Sequence, residues 1–342
     1  MSSFSLWCDF VEREFLVGEF REMILRGEIK GATSNPSIFA NAILSSPAYK
    51  KSIDAMRGKS AKEIYENLAF SDIKSAATSL LPLWERNKND GFISIEIDPR
   101  LCDDAGKSID EGRRIFERIN MPNVMIKVPA TEAGYEVMNA LMKDGININA
   151  TLIFSQTQTQ KCLTALGVQN DSEIAPKAVI SVFVSRFDRF IEANGANCGA
   201  TRAPNLAVDS AGAATRAPTR AVDSKKLDST PKLGIYNAMK CYELICASAS
   251  PHIRTLFAST GVKGGALNAS YYVSNLLLPN TINTAPLGTI KDFVTQERRF
   301  VEVPKDIDAF LANFEVEKIA KKLLSEGLEA FVNEFEKLLK AI

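Results

Sequence analysis

The sequence predicts a single (β/α)8 TIM barrel with additional C-terminal helices, and three observations carry that expectation. Eight short runs rich in Val, Ile, Phe and Leu are separated by longer stretches with helical spacing. A strand followed by a helix, repeated, argues for a parallel sheet, and a count of eight favours a closed barrel over an open one. The length of 342 residues accommodates a barrel of about 250 residues with additions.

In chain order the strands are expected at 4–9 (FSLWCD), 29–33 (IKGAT), 92–97 (FISIEI), 124–129 (VMIKVP), 148–153 (INATLI), 178–184 (AVISVFV), 254–258 (RTLFA) and 281–285 (TINTA). Helical spacing runs from Ala61 to Trp84, Ser108 to Ile119, Glu132 to Lys143, Thr157 to Leu166 and Ile235 to Cys246. From Asp306 to Ile342 two amphipathic helices follow. Ile307, Phe310, Leu311 and Phe314 form one stripe and Leu328, Phe331, Phe335, Leu338 and Leu339 another, so both are expected to pack as a cap on the barrel.

The chain is expected to be one domain over 1–342, interrupted by one segment. Residues 195–232 are rich in Ala, Gly, Pro, Thr, Asp and Ser, and the run from Ala200 to Ser210 is echoed, imperfectly, from Ala214 to Ser224. Few apolar side chains there offset the entropy of ordering, so disorder is expected. The segment reads as a duplicated spacer or as a short docking segment using Arg202, Arg216 and Arg220.

Composition excludes several functions. With 41 basic and 41 acidic residues, the chain lacks the basic excess that nucleic acid or an anionic membrane surface calls for. One histidine, His252, argues against a histidine-based triad, a multi-histidine zinc site or a phosphotransfer relay. Six dispersed cysteines without a C-x-x-C pair suggest reduced thiols. Nothing at the start resembles a signal peptide, and no run of about 18 apolar residues occurs, so a soluble cytoplasmic protein is expected. A homodimer is compatible with the sequence, which does not fix an oligomeric state.

Successive side chains of a strand face opposite ways, so polar residues in phase within an apolar run share one side. Ile93, Ile95 and Ile97 form one set, and Ser94 and Glu96 the other. Val124, Ile126 and Val128 should meet the helices, leaving Met125 and Lys127 inside the barrel. Asp9 ends its strand, Asn149 and Thr151 face together, Ser181 shares a face with Val179, and Ser259 with Phe257. Most of these lie toward the C-terminal ends of their strands, where barrel enzymes build their sites. Taken singly, Glu96 reads equally as a salt-bridge partner, Lys127 as a snorkelling lysine, and Asn149 and Thr151 as helix caps. Together they suggest chemistry. Desolvation of an amine favours its neutral form, which can attack a carbonyl and form a Schiff base. Asp9 and Glu96 are the acid/base groups available to serve it, and the implied reaction is imine-based making and breaking of carbon–carbon bonds.

These residues sit in a recognisable series. Gly31-Ala-Thr-Ser-Asn-Pro-Ser-Ile-Phe39 resembles the Thr-Ser/Thr-Asn-Pro-Ser motif of transaldolases, and Val124-Met-Ile-Lys-Val-Pro-Ala-Thr131 resembles their Schiff-base segment. Ser94–Arg100, Ile148–Ser155, Ile180–Asp188, Ala258–Gly261 and Asn283–Pro286 follow in that family's order. The resemblance covers nearly the whole chain outside 195–232. It implies a class I aldolase barrel of the non-oxidative pentose phosphate pathway, working on sugar phosphates without metal or organic cofactor. By motif position Lys127 would be the nucleophile, Asp9 would deprotonate the C4 hydroxyl, and Glu96 with Thr151 would hold the water of imine formation and hydrolysis. Asn35, Asn149 and Ser181 would bind the dihydroxyacetone unit, and Arg186 and Ser259 the phosphate. In one family pattern an arginine follows two residues after the Ser259 position. This chain has Gly261 there and Lys263 beyond it, which leaves the second phosphate cation open between Lys263 and another group. A fructose-6-phosphate aldolase-like lyase is the alternative activity.

Overall fold

The computed structural model describes residues 4–167, 175–194, 232–263 and 267–342. The 195–232 segment, tandem repeat included, therefore lies outside the described residues, apart from Lys232.

Eight parallel strands close into a barrel in the order β1 to β8. They are β1 (Phe4–Cys8), β2 (Gly31–Thr33), β3 (Phe92–Glu96), β4 (Val124–Pro129), β5 (Asn147–Ile153), β6 (Ala178–Phe183), β7 (Ile253–Ala258) and β8 (Thr281–Ala285). Where these ranges fall short of the expected ones, the missing residues still bond across the barrel. The Lys30 amide donates to the Leu6 carbonyl, and the amides of Asp9, Ile97 and Val184 donate to Ala285, Lys127 and Ala258. Their backbone leaves the ladder at these points while still closing it.

Helices Ala61–Arg86, Ala105–Ile119, Glu132–Lys143, Gln156–Leu166 and Leu233–Ala247 occupy the stretches with helical spacing. Their starts are chemically marked. Ser60 and Glu63 form a reciprocal capping box, Thr131 caps by accepting from the Gly134 amide, and Ser155 accepts from that of Gln158. Shorter helices, among them Arg13–Val17, Glu19–Leu25 and Pro36–Ser45, fill the first two connections. These were not legible as periodic segments because none of the three exceeds ten residues, fewer than about three turns.

The isoleucines of β3 and the valines of β4 are buried beneath the helices, as alternation requires. Close approach is needed at Gly31, opposite Trp7 in the β1–β2 register. A Cβ there would stand 2.5 Å from the fully buried indole. His252 lies half-buried in the turn before β7, its Nδ1 3.3 Å from Lys177 Nζ, away from the polar ends of the strands. No helix among the described residues is long and apolar enough to cross a membrane.

Candidate active site

The Lys127 side chain is only 6% exposed, inside the barrel at the C-terminal half of β4. Register places Glu96 of β3 on one side of it and Asn149 of β5 on the other. Its Nζ donates to the Ser34 carbonyl at 3.1 Å and stands 3.7 Å from Glu96 Oε2. The second contact is an ion pair without a hydrogen bond, and it ties the carboxylate to the same lysine that the sequence left free to snorkel. Ser34 is itself pinned, since its hydroxyl donates to the Ser94 carbonyl at 2.8 Å.

A cleft opens above the amine, with about 500 Å³ of empty space when the part open to solvent is counted. Asp9, Asn35, Lys127, Asn149, Thr151, Ser181, Arg186 and Ser259 all line it. Lys263 lines the adjoining outer cavity, together with Arg186 and Ser259. Glu96 completes the set through its contact with Lys127, so all ten sequence-selected residues converge on one end of the barrel.

Each is held by local structure. Asn35 caps helix Pro36–Ser45, its Oδ1 accepting from the Ile38 amide at 3.0 Å with Pro36 in the first turn. That bond orients the side chain while leaving its amide hydrogens uncommitted among the described residues. Asn149 is fully buried between two neighbours, donating to Ser94 Oγ at 3.0 Å and accepting from Ser181 Oγ at 2.6 Å. Neither Asn149 nor Thr151 caps the next helix, a role Ser155 takes. After Thr151 the β5–β6 register shifts, and Leu152 adopts φ 56°. Ser259 has φ 55° at the end of β7. Such left-handed backbone at residues other than glycine costs of order 1–3 kcal/mol and clusters where a site dictates geometry.

The family model described as Transaldolase/Fructose-6-phosphate aldolase matches residues 6–342. A protein named Transaldolase from Campylobacter jejuni subsp. jejuni is 44% identical over 359 aligned residues, covering 100% of each chain. Another so named, from Helicobacter pylori strain Shi470, is 44% identical over 349, again covering 100% of each. The chain belongs to the transaldolase/fructose-6-phosphate aldolase family.

Within this family member, burial sets the acid/base behaviour of the two carboxyls. Burial raises Asp9 above its ordinary value, opposed by the Lys127 charge and by a hydrogen bond from Thr33. Burial likewise pushes Glu96 up to about 7, against the pull of Lys127. Glu96 is therefore tuned toward exchanging protons near neutrality, and Asp9 holds its proton more tightly than an ordinary aspartate. Glu96 Oε2 and Thr151 Oγ1 are buried with no hydrogen-bond partner among the described residues, so two polar atoms near the amine remain open to a small polar guest.

Sequence reasoning missed four contributors. Thr33 Oγ1 donates to Asp9 Oδ1 at 2.6 Å and also meets Thr284 Oγ1 at 2.6 Å. A hydroxyl has one proton, so Thr284 must donate to Thr33. Both threonines lie inside the quoted motifs, which was their one signal, since strand phase does not single out Thr284 in a strand with polar residues on both faces. Arg189 Nη2 reaches Ser185 Oγ at 3.3 Å and Ser259 Oγ at 3.4 Å; its signal was its position three residues after Arg186 on one helix. The fourth is Phe331, whose ring lines the cavity 5.7 Å from Lys127 Nζ. The helix that carries it, Val316–Ala341, is thus more than the packing cap expected from its apolar stripe.

Proposed function

We propose that the protein is a transaldolase that moves a dihydroxyacetone unit from sedoheptulose 7-phosphate to glyceraldehyde 3-phosphate, giving erythrose 4-phosphate and fructose 6-phosphate. The observation that carries this reading is Lys127, a buried amine on the floor of a sugar-sized cavity between two carboxyls raised by burial. The full-length similarity to proteins named Transaldolase supports it.

In this reading Lys127 Nζ adds to the C2 carbonyl of the ketose, and loss of water gives the protonated imine. Glu96 and Thr151, with their open polar atoms, hold that water and pass the protons. Asp9 then takes the C4 hydroxyl proton, the C3–C4 bond breaks, and its electron pair flows into the imine to form an enamine. The aldose leaves with the carbonyl formed at C4. Asn149, fixed by Ser94 and Ser181, binds the retained three-carbon unit, and Asn35 presents its amide to the same unit. The acceptor aldehyde enters, the steps reverse with Asp9 returning its proton, and water releases the ketose from Lys127. Arg186 and Ser259 take the phosphate at the mouth.

Borohydride added with fructose 6-phosphate should trap a sugar adduct on Lys127, read by intact mass and peptide mapping. An unmodified Lys127 would remove this reading. The family description also spans fructose-6-phosphate aldolase, a lyase built on the same imine. Product partition separates the two, since a transferase releases little dihydroxyacetone while an acceptor is present. The five described cysteines are free thiols, which supports a reducing, cytoplasmic setting.

A further inference from the structure

The mouth of the cavity holds two cations that no carboxylate among the described residues meets in an ion pair. Arg186 lines both the inner and the outer cavity, yet among the described residues its guanidinium makes no hydrogen bond and no ion pair. Among the described residues Arg189 bonds only to the Ser185 and Ser259 hydroxyls and the Ser185 carbonyl. Asp188, between them in sequence, faces away and accepts from the Gly234 amide at 3.1 Å. Glu326 shares the outer cavity but forms its ion pair, at 3.8 Å, with Lys322.

Arg186 also sits in the first turn of helix Ser185–Asn194, where the helix dipole opposes positive charge. Burial and the neighbouring Arg189 charge together hold Arg186 below its ordinary value, with the Glu326 charge opposing them in part. Three unfavourable terms, namely burial, mutual repulsion and the dipole, are thus concentrated at one point. An anion with several acceptor oxygens would offset all three.

Position 261 is a poor place for another cation here. A Cβ at Gly261 would stand 3.0 Å from Pro286 Cγ, tighter than an ordinary contact. Lys263 reaches the outer cavity from an exposed position, and a free lysine must be ordered when it binds. Arg189 is already ordered, because Ser185 and Ser259 hold it and their hydroxyls lie 3.1 Å apart.

We infer that Arg189 is the second cation of the phosphate site, forming with Arg186 and Ser259 a clamp that selects phosphorylated over unphosphorylated sugars. This rests on the reading above that the substrates are sugar phosphates, and it fills the place left by glycine at 261. Arg189→Gln, Arg189→Lys and Lys263→Gln are compared by two measurements. The first is the shift in melting temperature produced by inorganic phosphate, which needs no turnover. The second is the ratio of kcat/KM for fructose 6-phosphate to that for fructose.

Arg189→Gln should lose most of the phosphate-induced shift. Its selectivity for the phosphorylated ketose should fall about tenfold or more, through KM with kcat little changed. Arg189→Lys should recover part of both, and Lys263→Gln should keep most of both. The inference is overturned if Lys263→Gln carries the loss instead, if Arg189→Gln lowers turnover of both ketoses in proportion, or if phosphate does not shift the wild-type protein. Borohydride trapping on wild-type protein tests the chemistry separately, so failure of the clamp and failure of the transaldolase reading give different results.

Discussion

Removing the Thr33 hydroxyl should move one limb of the pH–rate profile without touching the nucleophile. Thr33 Oγ1 donates to Asp9 Oδ1 at 2.6 Å, and this bond is one of the two interactions holding the buried carboxyl down. In Thr33→Val the methyl group fills the space and the bond is gone. A hydrogen bond to a charged group is worth about 1.5–3 kcal/mol, and about 1.4 kcal/mol corresponds to one pKa unit. The Asp9 carboxyl should therefore rise further, and at a fixed pH below the displaced limb kcat/KM should be about ten- to a hundredfold lower than in the wild type. Asp9 must be ionised to accept the C4 hydroxyl proton, so kcat/KM falls as pH drops through its pKa, and in the variant that fall begins at higher pH. The assay is kcat/KM for fructose 6-phosphate with erythrose 4-phosphate as acceptor, measured across pH. Above the displaced limb the variant should regain most of the wild-type rate, because Lys127, Glu96 and Asn149 are untouched. A uniform loss with the acid limb unmoved would refute the assignment of Asp9 as base, or of Thr33 as the group that tunes it.

Two further perturbations test the electrostatics and the packing. Glu96 stands at about 7 in the folded protein against an ordinary 4.5, so the native state keeps a proton that the unfolded chain has released. Its contribution to stability is full below the lower value and is lost as pH rises through the higher one. Glu96→Gln should therefore show a smaller fall in melting temperature between about pH 5 and about pH 8 than wild type; an equal fall would mean that Glu96 does not carry this linkage. Gly31→Ala places a Cβ 2.5 Å from the Trp7 ring, an overpacking that costs about 1–3 kcal/mol or more. Denaturant titration should show a lower midpoint, and an unchanged one would mean that Trp7 has room to move.

The barrel was legible because a parallel strand covered by helices reads as an apolar run, and because eight such runs alternate with longer periodic segments. Strand phase also exposed Lys127, Glu96, Asn149 and Ser181, since polar residues in register on the inner face stand out against isoleucine and valine. The motif resemblance supplied Asn35 and Arg186, which lie just beyond strands, where phase says nothing. What escaped depended on distances between segments far apart in the chain. Thr33 and Thr284 are 251 positions apart, and nothing in either motif says that their hydroxyls meet. Phe331 looked like any other member of an apolar helix stripe, because a sequence shows that a stripe is buried but not what it covers. Arg189 lies on the helix after β6 outside the motif residues, and only its bonds to Ser185 and Ser259 across the structure single it out.

The placement of Phe331 also bears on when the protein becomes competent during synthesis. All eight strands are available once the chain has been made as far as Ala285, and the reactive amine and its two carboxyls are then complete in sequence. The wall above the amine comes from helix Val316–Ala341, which is translated later. Without that helix the cavity loses the Phe331 ring, 5.7 Å from Lys127 Nζ. In the transaldolase reading proposed above, a chain lacking the helix would hold the amine and its carboxyls without the wall that helps select the sugar, so docking of Val316–Ala341 is what completes selectivity.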